Sequence, residues 1–238
     1  MINLTRAGQI ICDAVLTLAY PQICVICDRS VEQRRFGVAC ESCWLETRIF
    51  TDDDEICLKC GSPGPPACGR CEVLAFTTAR AVGMYKDALR ESALMLKRRP
   101  HVPQHVEDLL IAAALREPLS DSTRVVPVPL HPKRLKTRGF NQASVIAETV
   151  SKALRLPLDE VSLVRVSSSE KYRAGLDVKG RRDTVAGAFR VTHPRLVEGE
   201  DILLVDDVFT TGATVSACAE ALLEAGAKSV FVFTLARA

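Results

Sequence analysis

The sequence predicts an α/β fold: a mostly parallel sheet preceded by a small cysteine-rich module. Three observations carry this. Four CxxC pairs follow one another between Cys24 and Cys71, and eight of the ten Cys precede Cys71. Beyond residue 76, short apolar runs alternate with amphipathic stretches of helical period. One of those runs, Ile202-Leu203-Leu204-Val205, is apolar on successive residues, as in a central strand covered on both faces. The 238 residues are 47% hydrophobic and 25% charged, which excludes collagen-like, coiled-coil and wholly disordered classes. A formal net charge of +2 does not by itself imply a nucleic-acid or membrane partner.

Residues 1–20 are expected to form an amphipathic helix, since the apolar stretch Ile2 to Tyr20 is interrupted by Arg6, Gln9 and Asp13. It has no unbroken apolar region of the signal-peptide kind. Nowhere does the chain reach the run of about 20 apolar residues that a membrane span needs. A cytoplasmic location, where thiols stay reduced, is the expectation.

Residues 21–75 hold the pairs Cys24/Cys27, Cys40/Cys43, Cys57/Cys60 and Cys68/Cys71. Two thiolates three positions apart can grip one ion from a tight turn, and two such pairs complete a closed tetrahedral zinc site. Eight sulfurs thus suggest two structural Zn²⁺. A single CxxC could be a redox motif, but four consecutive pairs with none left over favour metal. Gly61 and Gly69 follow Cys60 and Cys68, where a knuckle needs positive φ. Keeping each CxxC intact leaves three pairings. Sequential sharing, Cys24/Cys27 with Cys40/Cys43 and Cys57/Cys60 with Cys68/Cys71, is preferred as a double zinc ribbon, and an interleaved cross-brace stays open. Through Thr78 the chain has seven Lys and Arg against ten Asp and Glu, so the module lacks a phosphate-binding footprint. Its metal would replace a core too small to hold by itself. Cys12 and Cys218 sit in helical patterns and are read as buried small hydrophobes.

Residues 76–238 form the second domain. Strands are expected at Ala79–Tyr85, Arg124–Val128, Val161–Val166, near Ala188–Val191, at Asp201–Asp206 and at Ser229–Leu235. Helices are expected at Asp87–Arg98, Val102–Arg116, Asn141–Leu154 and Ala213–Glu224. The polar stretch Ser167–Asp183 has no clear periodicity. Lys97-Arg98-Arg99 ends a helix and is read as a partner of its dipole. His101, His105, His131 and His193 are scattered, and no Ser-His-Asp set is present.

Chemistry concentrates after the apolar strand, which is expected to stop at Asp206-Asp207. The segment Thr210-Thr211-Gly212-Ala213-Thr214 then opens a helix. Three hydroxyls, a glycine and a helix N-terminus make a phosphate cradle. Two carboxylates would repel that phosphate. They suit sugar hydroxyls, or Mg²⁺ reached through those hydroxyls or water. The element therefore calls for a sugar carrying a phosphate.

Val205 to Thr214 resembles the phosphoribosyl pyrophosphate (PRPP) signature of type I phosphoribosyltransferases. Val126-Pro127-Val128-Pro129-Leu130-His131, Lys133-Arg134 and Arg138-Gly139-Phe140-Asn141-Gln142 resemble the ComF branch, which also carries an amino-terminal double zinc ribbon. The resemblance spans nearly the whole chain. It implies that Asp206 and Asp207 hold the ribose hydroxyls and that Thr210, Thr211, Gly212, Ala213 and Thr214 surround the 5′-phosphate. It places Pro129, Leu130 and His131 at the pyrophosphate loop, with Lys133, Arg134 and Arg138 as nearby cations. It makes Ser167–Asp183 a closing loop in which Arg181 acts. Arg173 stands where Gln is common and Thr184 where Asn is common. The implied reaction transfers a phosphoribosyl group to an acceptor and releases pyrophosphate, with Mg²⁺ on PRPP. The acceptor would bind near Met84–Lys97 and the closing loop.

Beyond Thr78 there are 24 Lys and Arg against 19 Asp and Glu. Lys133, Arg134, Lys136 and Arg138 form one cationic group; Lys171, Arg173, Lys179, Arg181 and Arg182 form another. A polyanionic sugar phosphate suits both. So does single-stranded DNA, which supports a second reading: a DNA-uptake accessory that uses the fold for binding rather than catalysis.

Overall fold

The computed structural model describes residues 20–166 and 187–238. The expected helix at 1–20 with Cys12, all but its last residue Tyr20, and the segment Ser167–Asp183 with Arg173 and Arg181, lie outside the described residues, as does Thr184. The strands are β1 (Thr78–Met84), β2 (Arg124–Pro127), β3 (Leu163–Arg165), β4 (Phe189–Val191), β5 (Asp201–Phe209) and β6 (Ser229–Arg237). The helices are α1 (Glu41–Glu46), α2 (Asp87–Leu96), α3 (Gln104–Ala114), α4 (Pro132–Arg138), α5 (Gln142–Leu154) and α6 (Ala213–Glu224).

The main sheet is parallel, in the order β1-β6-β5-β2. The central β5 and β6 are nearly continuous in Val, Ile, Leu and Phe, as strands covered on both faces must be. β3 and β4 form a separate antiparallel pair. Leu163 and Phe189 of that pair are buried in the same core as α6.

Side chains alternate across a strand, so β5 divides the interior into two cores. Leu203 and Val205 join Leu89 and Leu96 of α2, Val106 and Leu110 of α3, Ile146 and Val150 of α5, and Cys24, Cys40 and Cys43. Ile202 and Leu204 join Val215 and Leu222 of α6, and Cys57, Cys60 and Cys71. The two cysteine groups therefore lie in opposite cores, on opposite faces of the sheet.

Between them the module covers the edge strand β1. Phe50 N–H donates to Val82 O (2.8 Å), Met84 N–H to Arg48 O (3.0 Å) and Ala79 N–H to Lys59 O (2.7 Å). An open strand edge is thereby closed by the chain's own backbone. The approach requires Gly83, where a Cβ would stand 2.2 Å from Arg48 O.

Three expectations need correction. β5 does not stop at Asp206-Asp207: it runs to Phe209, pairing Asp206 with Thr234 and Phe209 with Arg237 of β6. The segment after the Val128–His131 turn is a helix, α4, unread because none of its residues is buried and it carries no apolar stripe. The apolar run Val161–Val166 yields only the three residues of β3.

Candidate functional site

Cys24, Cys27, Cys40 and Cys43 form one group and Cys57, Cys60, Cys68 and Cys71 another, each with all sulfurs within 4.8 Å of one another. This is the sequential sharing preferred above. Sulfur–sulfur distances are 3.7 Å (Cys24–Cys43), 3.5 Å (Cys27–Cys40), 3.6 Å (Cys57–Cys71) and 3.7 Å (Cys60–Cys68). Tetrahedral zinc with bonds of about 2.3 Å sets its sulfurs about 3.8 Å apart, so both donor sets fit the ion. Gly61 and Gly69 have φ of 67° and 68°. Arg29 Nε donates to Cys27 Sγ at 3.3 Å. That hydrogen bond is the chief cause holding the Cys27 thiol down at about 6, favouring the thiolate that a metal takes. Cys218 is fully buried, as expected of a small hydrophobe.

The second site lies at the carboxyl end of β5. Alternation sends the two acids to opposite faces. Asp207 faces the core of α2 and α5: Gln142 Nε2 donates to its Oδ1 at 3.4 Å, and Lys97 Nζ lies 2.9 Å from its Oδ2. Lys97 thus reaches across to an acid of β5 instead of serving its own helix end, which corrects the dipole reading for this residue of the Lys97-Arg98-Arg99 run. Sequence reasoning missed it because the contact joins residues far apart in the chain. Asp206 lies on the α6 side. Burial, then the charge of Asp207, push its carboxyl well above the usual carboxylate range.

Asp207 is only 9% exposed, so one of the two acids is already ion-paired rather than open to solvent. Arg138 Nη1 donates to Gln142 Oε1. Arg138, Gln142, Asp207 and Lys97 consequently form one polar chain.

Past Phe209 the backbone turns through Thr210 and Thr211 into α6. Gly212 has φ of 78°, a conformation a side chain would strain, and Thr211 Oγ1 accepts from Ala213 N–H at 3.4 Å. Ser216 N–H closes the first turn onto Gly212 O, so the Thr214 and Val215 amides belong to the open first turn. Thr210 is exposed and Thr211 and Thr214 half-buried.

The Val128–His131 turn is held beside β5 by Val128 N–H donating to Val205 O (2.8 Å) and Asn141 Nδ2 donating to Val128 O (3.0 Å). Pro129, Leu130 and His131 are half-buried. His131 caps α4, its Nδ1 accepting from Lys133 N–H at 3.2 Å. Lys133, Arg134 and Lys136 are exposed on α4 and Arg138 is half-buried. A cavity of about 710 Å³ is lined by Pro129, Leu130, Leu135, Phe140, Leu163 and Arg165. Neither acid of β5 lines it.

A family model described as "Phosphoribosyl transferase domain" matches residues 140–238. The chain is 31% identical to the DNA utilization protein YhgH of Escherichia coli K12, over 92% of this chain and 99% of that protein. It is 28% identical to the competence protein ComFC of Bacillus subtilis, over 90% and 95%. It is 27% identical to competence protein F of Haemophilus influenzae, over 90% and 96%.

Proposed function

The chain belongs to the ComF family, and from that premise we propose that it binds PRPP at the carboxyl end of β5 and transfers the phosphoribosyl group to an acceptor. One observation carries this reading: an acidic pair lies near the carboxyl end of a buried central strand, and a Thr-Thr-Gly turn leads from that strand into the open first turn of α6. Asp206 and Asp207 would hold the ribose hydroxyls, and Mg²⁺ through them or water. Thr210, Thr211, Gly212, Ala213 and Thr214 would surround the 5′-phosphate with hydroxyls and amide N–H groups. Pro129, Leu130 and His131, with Lys133, Arg134 and Arg138, would face the pyrophosphate. Departure of pyrophosphate leaves positive charge at the anomeric carbon, so no covalent enzyme group is needed. Mg²⁺ supplies charge stabilisation to the leaving group.

The test is thermal unfolding with PRPP and Mg²⁺. A ligand that binds only the native state stabilises it by about 2.7 kcal/mol at a hundredfold excess over its dissociation constant. Asp206→Asn with Asp207→Asn is expected to abolish the shift. A wild-type protein that shows no shift overturns the reading.

The relatives' names favour a second reading, a DNA-uptake or DNA-utilization accessory that uses the fold for binding. The exposed cations of α4 would suit a strand of phosphates. Pyrophosphate release, screened against bases, amines and DNA ends, separates the two. Turnover supports transfer, and single-stranded DNA binding without turnover supports the accessory.

A further inference from the structure

The two cysteine clusters have different surroundings. The first packs against helices: His105 of α3 lies edge-on to Phe36 and Trp44, with ring centroids 5.3 and 4.6 Å away, and Arg35 pairs with Asp108 at 3.6 Å. The second is tied to the turn after β5 by two routes. Arg237, 9% exposed, donates from Nη1 to Cys60 O and from Nη2 to Cys60 Sγ at 3.6 Å. The same guanidinium stacks on Phe209, 4.4 Å from the ring centroid, and Ala238 N–H donates to Phe209 O at 2.9 Å. In turn, the Phe209 ring packs so closely on Gly212 that a Cβ there would lie 2.7 Å from Phe209 Cζ. The other route leaves Cys71. Its carbonyl accepts from Leu74 N–H (3.0 Å), Leu74 Cδ1 would lie 3.0 Å from that Cβ, and Ala75 N–H donates to Ser216 Oγ (3.0 Å) in the first turn of α6. Cys68 and Arg70 share the walls of a cavity of about 260 Å³ with Thr210 and Thr211.

We propose that the second cluster is the positioning element of the Thr210–Thr214 turn, with Arg237 as the link, and that the first cluster has no such role. The argument is mechanical. Residues 57–75 have little core of their own, so their shape depends on the metal that Cys57, Cys60, Cys68 and Cys71 fit. Arg237 takes its position from Cys60 and passes it to Phe209, which sets where Gly212 can sit. A guanidinium is suited to this because it forks to two acceptors and stacks on a ring at once. Metal loss at this cluster thereby loosens the turn from behind, without touching any group that faces a ligand. That the turn holds a phosphate rests on the function proposed above; the coupling itself does not.

The experiment is amide hydrogen exchange of residues 208–216 in the full chain, with metal content and PRPP-dependent melting measured on the same samples. Cys68→Ser is expected to remove one of two metal equivalents and speed exchange in this segment about tenfold. Cys27→Ser is expected to remove the other equivalent and leave the segment unchanged. Arg237→Gln and Arg237→Lys keep both metals and still loosen it, since neither replacement forks and stacks. The Arg237 variants decide the matter should Cys68→Ser fail to fold. Wild-type protection in Arg237→Gln overturns the proposal, as does full rescue by Lys or equal loosening in Cys27→Ser. A wild-type chain that shows no PRPP shift, with the segment still loosened in Arg237→Gln, refutes the ligand and upholds the coupling.

Discussion

Lys97 Nζ stands 2.9 Å from Asp207 Oδ2, across the end of the sheet, so the second acid of the Asp206-Asp207 pair carries its own counter-ion. Gln142 hydrogen-bonds the other oxygen. The acid is therefore fixed in place before any ligand arrives, and a cation or a sugar hydroxyl must share it with Lys97.

Lys97→Met leaves the Asp207 charge 9% exposed and unpaired. Because Lys97 is itself a third exposed, the cost is expected to be about 1–2 kcal/mol, below that of breaking a fully buried pair. Asp207→Asn in the same chain should recover most of it. Urea denaturation of both single variants and the double variant measures the coupling, and additive effects would show that the pair contributes nothing.

Asp206 gives a pH signature. Its carboxyl is raised by burial and by the Asp207 charge, so in the free protein it holds a proton above the usual carboxylate range. Such a group contributes stability that is full below its unfolded value and lost as pH rises through the folded one. The free protein should lose stability with rising pH in this window, and Asp206→Asn should flatten the loss. On the proposed function, PRPP with Mg²⁺ would need the charged form, so its affinity should rise with pH over the same window. Calorimetric titration in two buffers of different ionisation enthalpy would detect the proton released on binding.

What could be read from the sequence was what has a local cause. The bite of each CxxC pair follows from its spacing, and sequential sharing is the preferred one of three pairings that spacing leaves open. The start of α6 at Ala213 follows from Gly212. The apolar run of β5 follows from cover on both faces. What escaped depends on distant partners. β5 continues through Asp206 and Asp207, poor strand formers, because β6 supplies the ladder from Thr234 to Arg237. Lys97 looked like an ordinary helix end, and Arg237 lay beyond the strand expected at Ser229–Leu235. Only the fold places them against Asp207 and Cys60.

Gly83 tests the docking of the module on β1. An added methyl would meet Arg48 O at 2.2 Å and Leu89 Cδ1 at 2.7 Å. A backbone carbonyl cannot swing aside as a side chain can, so the 48–50 segment must separate from the strand edge. Gly83→Ala is expected to cost about 2–3 kcal/mol by thermal or urea unfolding. It should also expose the Phe50 and Met84 amides to exchange. A loss under about 0.5 kcal/mol, the range of ordinary surface changes, would mean the segment is not held there.

His105 sets the acid limit of the same docking. Burial chiefly, and then the Arg35 charge, lower its affinity for a proton, while Asp108 opposes them weakly. The ring sits neutral between Phe36 and Trp44. Protonation would place a cation where solvent is scarce and Arg35 is near. A base with a lowered folded value contributes stability that is full above its unfolded value of about 6.5 and lost as pH falls through the folded one. As pH falls below about 6.5 the wild type should thus lose stability that His105→Phe does not lose, the added ring keeping the aromatic contact. Trp44, the single tryptophan, reports this directly, because its Nε1 donates to Phe36 O at 2.9 Å beside His105. Its fluorescence should shift over that range in wild type and stay constant in His105→Phe; parallel shifts in both proteins would assign the acid sensitivity to the cysteine cluster instead.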